Sequence, residues 1–145
     1  MNRYFLVGLL ISLIACTDRP KGDVCNLNDQ LSVFMCATSK LNIYKSEIEY
    51  HQAFFVSSEL GKRATPNLTE VLKKSLTQNM RIDIGGYQSN ETKKVVLEAL
   101  SNINKEKISL SNLYVVYFGP EKDKPLILSA FGQAGATAEY VTFGL

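Results

Sequence analysis

LYVVYFGPEKDKPLILSAFGQAGATAEYVTF, residues 113–143, is the stretch whose reading decides the fold. Leu113 to Phe118 is a dense β-branched and aromatic run and reads as a strand. Gly119 to Lys124 is turn-forming and leads through Pro125 into apolar Leu126 to Phe131, a second strand by composition. Gly132 to Gly135 makes another break, and Glu139 to Phe143 closes the chain as a third strand. The simplest arrangement for three consecutive strands is an antiparallel meander. These strands are apolar on both alternating faces, so helices should cover one face while the other is partly buried or used for association.

Upstream the pattern is helical. Thr65-Pro66 followed by Leu68, Val71, Leu72 and Leu76 predicts a helix with Thr65 as its cap and Pro66 in its first position. Ser89 to Ile103 predicts another, with Val95, Val96, Ala99, Leu100 and Ile103 along one side. Between them Arg81-Ile82-Asp83-Ile84 alternates before Gly85-Gly86 and reads as a strand. Residues 43–57 fit both periods, because Ile48, Tyr50, Phe54 and Val56 recur at even spacing while Tyr44, Ile48, His51 and Phe55 share a helical face. Their tyrosine, phenylalanine and valine content favours a strand. The expected class is α+β: a single small domain with two to three helices on a mainly antiparallel sheet.

Few side chains suggest chemistry. His51 is the only histidine, with Glu47, Glu49, Ser57 and Ser58 near it in sequence. Neither a nucleophile elbow nor a His-Glu-x-x-His helix accompanies it, so a structural role is the simpler reading. Gly85-Gly86 lacks the Gly-Lys-Ser/Thr that would make a phosphate loop, and serves as a turn before a helix. Gly132 to Ala136 reads as a flexible hairpin tip. The lysine pairs Lys73-Lys74 and Lys93-Lys94 belong on solvated helix faces, and a formal net charge of +2 gives no footprint for nucleic acid. No metal-ligand spacing or cofactor motif is present in the sequence. Tyr114, Tyr117, Phe131 and Tyr140 on the carboxy-terminal sheet are the candidate partner-binding residues, because aromatic side chains carry much of the energy of protein contacts.

The amino terminus is the most specific part of the chain. Asn2 and Arg3 form a short basic region, Tyr4 to Ile14 an apolar one, and Leu13-Ile14-Ala15-Cys16 ends it. About eleven apolar residues fall well short of the roughly 20 needed to span a bilayer as a helix. The segment resembles a bacterial lipoprotein signal with its lipobox. That resemblance covers residues 1 to 16 and implies cleavage before Cys16, thioether lipidation of its sulfur and acylation, as by palmitate, of the new amino terminus. Residues 1–15 would be removed, 16–24 would form the lipidated cysteine and a polar tether, and 25–145 would be the globular domain. Multiple acyl chains, at about 0.8 kcal/mol per buried methylene, suffice for stable anchoring. Thr17 rather than aspartate follows Cys16, which by the same resemblance directs the protein to the outer membrane facing the periplasm. In a Gram-positive cell the anchor would lie on the outer face of the plasma membrane.

Lipidation of Cys16 leaves two cysteines, and an oxidising periplasm then favours a Cys25–Cys36 disulfide. Eleven residues of helix span about 16 Å, whereas bridged α-carbons lie roughly 6 Å apart, so a bonded pair excludes one continuous helix over 25–36. The functional expectation is a non-enzymatic lipoprotein that binds another envelope protein, as an assembly factor or as an inhibitor or immunity protein, with no cofactor. The alternatives are a small envelope hydrolase using His51, and a structural lipoprotein that carries a lipid or other ligand.

Overall fold

The computed structural model describes residues 30–40 and 48–142. Cys16, Cys25, Glu47, the signal segment and the tether all lie outside the described residues. In chain order the elements are α1 (Gln30–Lys40), β1 (Tyr50–Val56), α2 (Ala64–Lys73), β2 (Met80–Gly86), α3 (Ser89–Lys105), β3 (Leu113–Gly119), α4 (Lys124–Gln133) and β4 (Thr137–Thr142). The four strands form one sheet in the order β1-β2-β3-β4, and every neighbouring pair is parallel. The class is therefore α/β, with a Rossmann-like alternation of strand and helix.

This overturns the expected α+β fold and its antiparallel meander, and the reason lies in residues 124–133. Ile127, Phe131 and Ala134 are buried at helical spacing, while Leu126, between Pro125 and Ile127, is 50% exposed. The apolar run is one face of α4, and Pro125 sits in its first turn, where a missing amide costs nothing. A helix between β3 and β4 makes their connection a crossover, and a crossover returns the chain parallel. The tip expected at Gly132 to Ala136 is instead the end of α4, where Gly135 takes a positive φ of 85°.

Alternate strand residues point to two very different faces. Phe54, Val56, Met80, Ile82, Ile84, Leu113, Val115 and Tyr117 join Leu68, Leu72, Val96, Leu100, Ile103, Ile127 and Phe131 in the main core. Thus α2, α3 and α4 all pack on one face, the arrangement that successive right-handed crossovers in a single direction produce. On the other face α1 contributes Phe34, Leu31 and Ala37 to a smaller cluster with Phe55, Tyr114, Val116, Phe118 and Val141. Phe34 is fully buried there, with its ring 5.2 Å from that of Phe55 and 5.1 Å from that of Phe118. Among the described residues the strand order never reverses, so these strands form no switch point, the usual ligand crevice of an open α/β sheet.

Of the other expected elements, β1 forms within residues 43–57, where composition favoured a strand, and β2 and α3 form where the periodicity placed a strand and a helix. α2 begins one residue earlier than its expected cap: Arg63 holds that position, and Thr65 instead donates its hydroxyl to Glu98 Oε2 of α3 at 2.9 Å.

Candidate functional site

Register places two polar rows on the α1 face of the sheet. His51, Arg81 and Tyr114 lie side by side across β1, β2 and β3, and the next row on that face carries Ala53, Asp83, Val116 and Glu139. Asp83 is fully buried and Arg81 is 5% exposed. A carboxylate removed from water needs its charge and lone pairs answered nearby, and Arg81, two residues along the same strand face, does this. Its Nε donates to Oδ1 at 2.7 Å and its Nη2 to Oδ2 at 2.8 Å. His51 Nε2 lies 2.9 Å from the same Oδ2, with 46% of its side chain exposed. The Tyr114 phenol is pushed above the ordinary tyrosine range, first by burial and then by the neighbouring Glu139 carboxylate.

An imidazole held by a buried carboxylate has the orientation of a general base. Here, however, Arg81 already places two donors on Asp83, one on each carboxylate oxygen, so the carboxylate is not held by the imidazole alone. Ser57 and Ser58, considered with His51 from the sequence, follow the opposite end of β1, six or seven residues or roughly 20 Å away. They line a separate groove of about 550 Å³ with Lys62, Thr65, Gln88 and Lys94 at the carboxyl ends of β1 and β2.

A second cluster sits beyond the carboxyl end of β3. Lys93 Nζ reaches Asp123 Oδ1 at 2.8 Å, tying α3 to the start of α4. Tyr140 donates to the Pro120 carbonyl at 2.6 Å and packs its ring 5.3 Å from that of Tyr117. Among the described residues Asp123 Oδ2 and the Tyr117 hydroxyl, both buried, find no hydrogen-bond partner. Burial, then the Tyr140 and Asp123 charges, push the Tyr117 phenol above its usual range. The Tyr140 phenol rises to about 12, by burial and then by Asp123 and Glu121.

Of the four aromatic residues singled out from sequence, the fold brings Tyr117 and Tyr140 together and sends Tyr114 to the opposite face. Tyr114, Tyr117 and Phe131 are buried at 5%, 0% and 0% exposure, and Tyr140 is partly buried. They build the interior more than they present a surface. Cys36 lies on α1, and Cys25, its expected partner, is outside the described residues. Gly85-Gly86 serves packing: a Cβ on Gly85 would stand 2.7 Å from the Phe34 ring, and one on Gly86 would collide with Thr92 Oγ1 and the Val56 carbonyl. Among the described residues no group of three metal-ligating side chains converges, and no helix is long and apolar enough to cross a membrane.

The outer surface is uneven in charge. α2, α3 and the start of α4 carry ion pairs such as Lys73–Glu106 and Lys124–Glu121. The α1 and β1 flank is different. Between Gln30 and Ser39, and between Tyr50 and Val56, there is no Asp, Glu, Lys or Arg. Met35, Tyr50 and Tyr87 are exposed at 51%, 58% and 43%, and the Tyr87 ring packs edge-on to Phe55 at 4.8 Å. An aromatic file, Phe118, Phe34, Phe55, Tyr87, thus runs from the buried cluster to the surface.

Sequence reasoning placed Arg81 and Asp83 on a strand and Lys93 on a solvated helix face, and gave a site role to none of these or to Asp123, which Lys93 pairs with. The signal for the first two was there: opposite charges at i and i+2 on a strand share one face and neutralise each other. Comparison with family models, with curated proteins and with solved structures finds no match to this chain.

Proposed function

We propose that this protein is a lipoprotein, anchored through Cys16 to the outer membrane and facing the periplasm, that binds another envelope protein through its α1 and β1 flank as an assembly factor or an inhibitor. The observation that carries the reading is the contrast in surface. Residues 30–39 and 50–56 carry no Asp, Glu, Lys or Arg, and this flank exposes Met35 and Tyr87 over an aromatic file, whereas α2 and α3 carry ion pairs and the exposed apolar residues of the helical layer, Leu76 and Leu126, sit over no such file. Exposed aromatic and methionine side chains on an uncharged patch are the composition of an interface centre. The partner surface therefore moves from the four aromatics named above to Met35, Tyr87 and their neighbours. The test is crosslinking in living cells followed by affinity recovery of the tagged chain, with Cys16→Ser as control. An envelope protein recovered with the native chain, and lost with a Met35→Glu/Tyr87→Glu double variant, is the expected result. Equal recovery from that variant, or none from the native chain, contradicts the reading.

The His51–Asp83 contact favours a second reading, a hydrolase with His51 as base. His51→Ala restoring the full phenotype of a deletion strain removes it.

A further inference from the structure

β1 is an edge strand, and the direction of its backbone groups is fixed by two end contacts. The Tyr50 amide donates to the Asn79 carbonyl, and the Val56 carbonyl accepts from the Tyr87 amide. Even-numbered residues of β1 therefore bond toward β2, and the amides and carbonyls of His51, Ala53 and Phe55 point away from the sheet. Among the described residues β2 is the only strand paired with them. Exposed edges are ordinarily blunted by lysine, proline, a bulge or an inward charge. β1, Tyr-His-Gln-Ala-Phe-Phe-Val, has none of these, and its side chain at the midpoint is the exposed methyl of Ala53.

We propose that β1 pairs antiparallel with β1 of a second copy of this chain, about a two-fold axis at Ala53, joining the two sheets into one of eight strands. A second copy fits for three reasons. First, the outward residues at 51, 53 and 55 are symmetric about Ala53, so 51 meets 55, 53 meets 53, and about six backbone hydrogen bonds form with every outward group used. Second, the strand carries no acidic side chain, lysine or arginine, so self-pairing sets no like charges against each other, and exposed Tyr50 comes opposite Val56 of the other copy. Third, a two-fold axis perpendicular to the sheet keeps both α1 helices on the same side. Two chains tethered through their amino termini could then share one membrane.

The pairing uses the outward backbone of β1, whereas the proposed envelope partner is tested at Met35 and Tyr87, so the Ala53 variants and the Met35/Tyr87 variant tell failure of one from failure of the other. The experiment is light scattering and sedimentation equilibrium of the full chain over micromolar concentrations. It is repeated for Ala53→Lys, for Ala53→Pro and for Gln133→Lys on the exposed end of α4 as control. Ala53→Lys sets two ammonium groups together at the axis and should weaken the dimer by about tenfold or more. Ala53→Pro removes the central outward amide while leaving the β1–β2 bonds intact, and should do the same. Gln133→Lys should leave the dimer unchanged, and circular dichroism should report native melting for Ala53→Lys. A monomeric native chain overturns the proposal. So does a dimer indifferent to both Ala53 variants, or a photo-crosslinker at position 53 that captures only a different protein.

Discussion

Removing the side chain of Phe34 and adding one to Gly85 should interact strongly, because the two residues occupy the same space. Phe34 is the large plug between α1 and the sheet, fully buried between the rings of Phe55 and Phe118. Truncation of such a side chain costs about 3–5 kcal/mol, so Phe34→Ala should unfold at much lower urea. A methyl added at Gly85 meets Phe34 Cδ2 at 2.7 Å and Cε2 at 2.9 Å. The ring cannot slide aside between its two aromatic neighbours, so Gly85→Ala alone should cost about 1–3 kcal/mol through overpacking. In the Phe34→Ala background that clash is gone, and what remains is the gain of about 0.5–1 kcal/mol from replacing a strand glycine. The sign of the Gly85→Ala effect therefore reverses, and the coupling energy in a double-mutant cycle should be about 2 kcal/mol or more. Urea denaturation of the four proteins measures it. Additivity within about 0.5 kcal/mol would mean that α1 does not seat Phe34 on Gly85.

Asp83→Asn leaves Arg81 buried without its charge partner and should cost about 3 kcal/mol or more in urea, while the double change Arg81→Met with Asp83→Leu should recover most of it. Lys93→Met leaves both oxygens of buried Asp123 without a donor among the described residues and should cost about 1–3 kcal/mol. At high pH the tyrosines dominate. Tyr140 is raised from 10.0 to about 12, and Tyr114 and Tyr117 are also raised, so the fold retains protons that the unfolded chain surrenders from pH 10 upward. Their contribution is complete below pH 10 and is lost as pH climbs toward the folded values, so melting temperature should fall between pH 10 and 12. Tyr117→Phe should make that fall shallower and cost little at neutral pH, since its hydroxyl has no partner among the described residues. A steeper alkaline fall in this variant would contradict the assignment.

Local periodicity carried most of the individual elements and misled at one. β2, α2 and α3 follow from alternation or from three-and-four spacing, and β1 and β3 from β-branched and aromatic composition, all of which are local properties of the chain. Residues 126–131 are apolar except for Ser129, and such a short run suits a buried strand and a helix equally. The deciding features were Ala134, which extends the Ile127 and Phe131 spacing past the run, and Pro125, which suits a helix start. Misreading that one element converted a crossover into a hairpin and a parallel sheet into a meander. The sites were less legible because they are assembled across strands. Nothing within residues 47–58 points to Asp83, which reaches His51 only through the β1–β2 register, and Lys93 meets Asp123 only because α3 and α4 pack on the same face. The tyrosines were conspicuous in composition, yet composition does not say which face of the sheet each one takes.

The central claim, that the flank of α1 and β1 is the working surface, is tested most directly by photo-crosslinking from single positions in living cells. A photoreactive residue at Tyr87 is compared with one at Lys105, on the charged helical layer. The account predicts a discrete adduct with an envelope protein from position 87 and none from position 105. Adducts from position 105 with none from position 87 would contradict it.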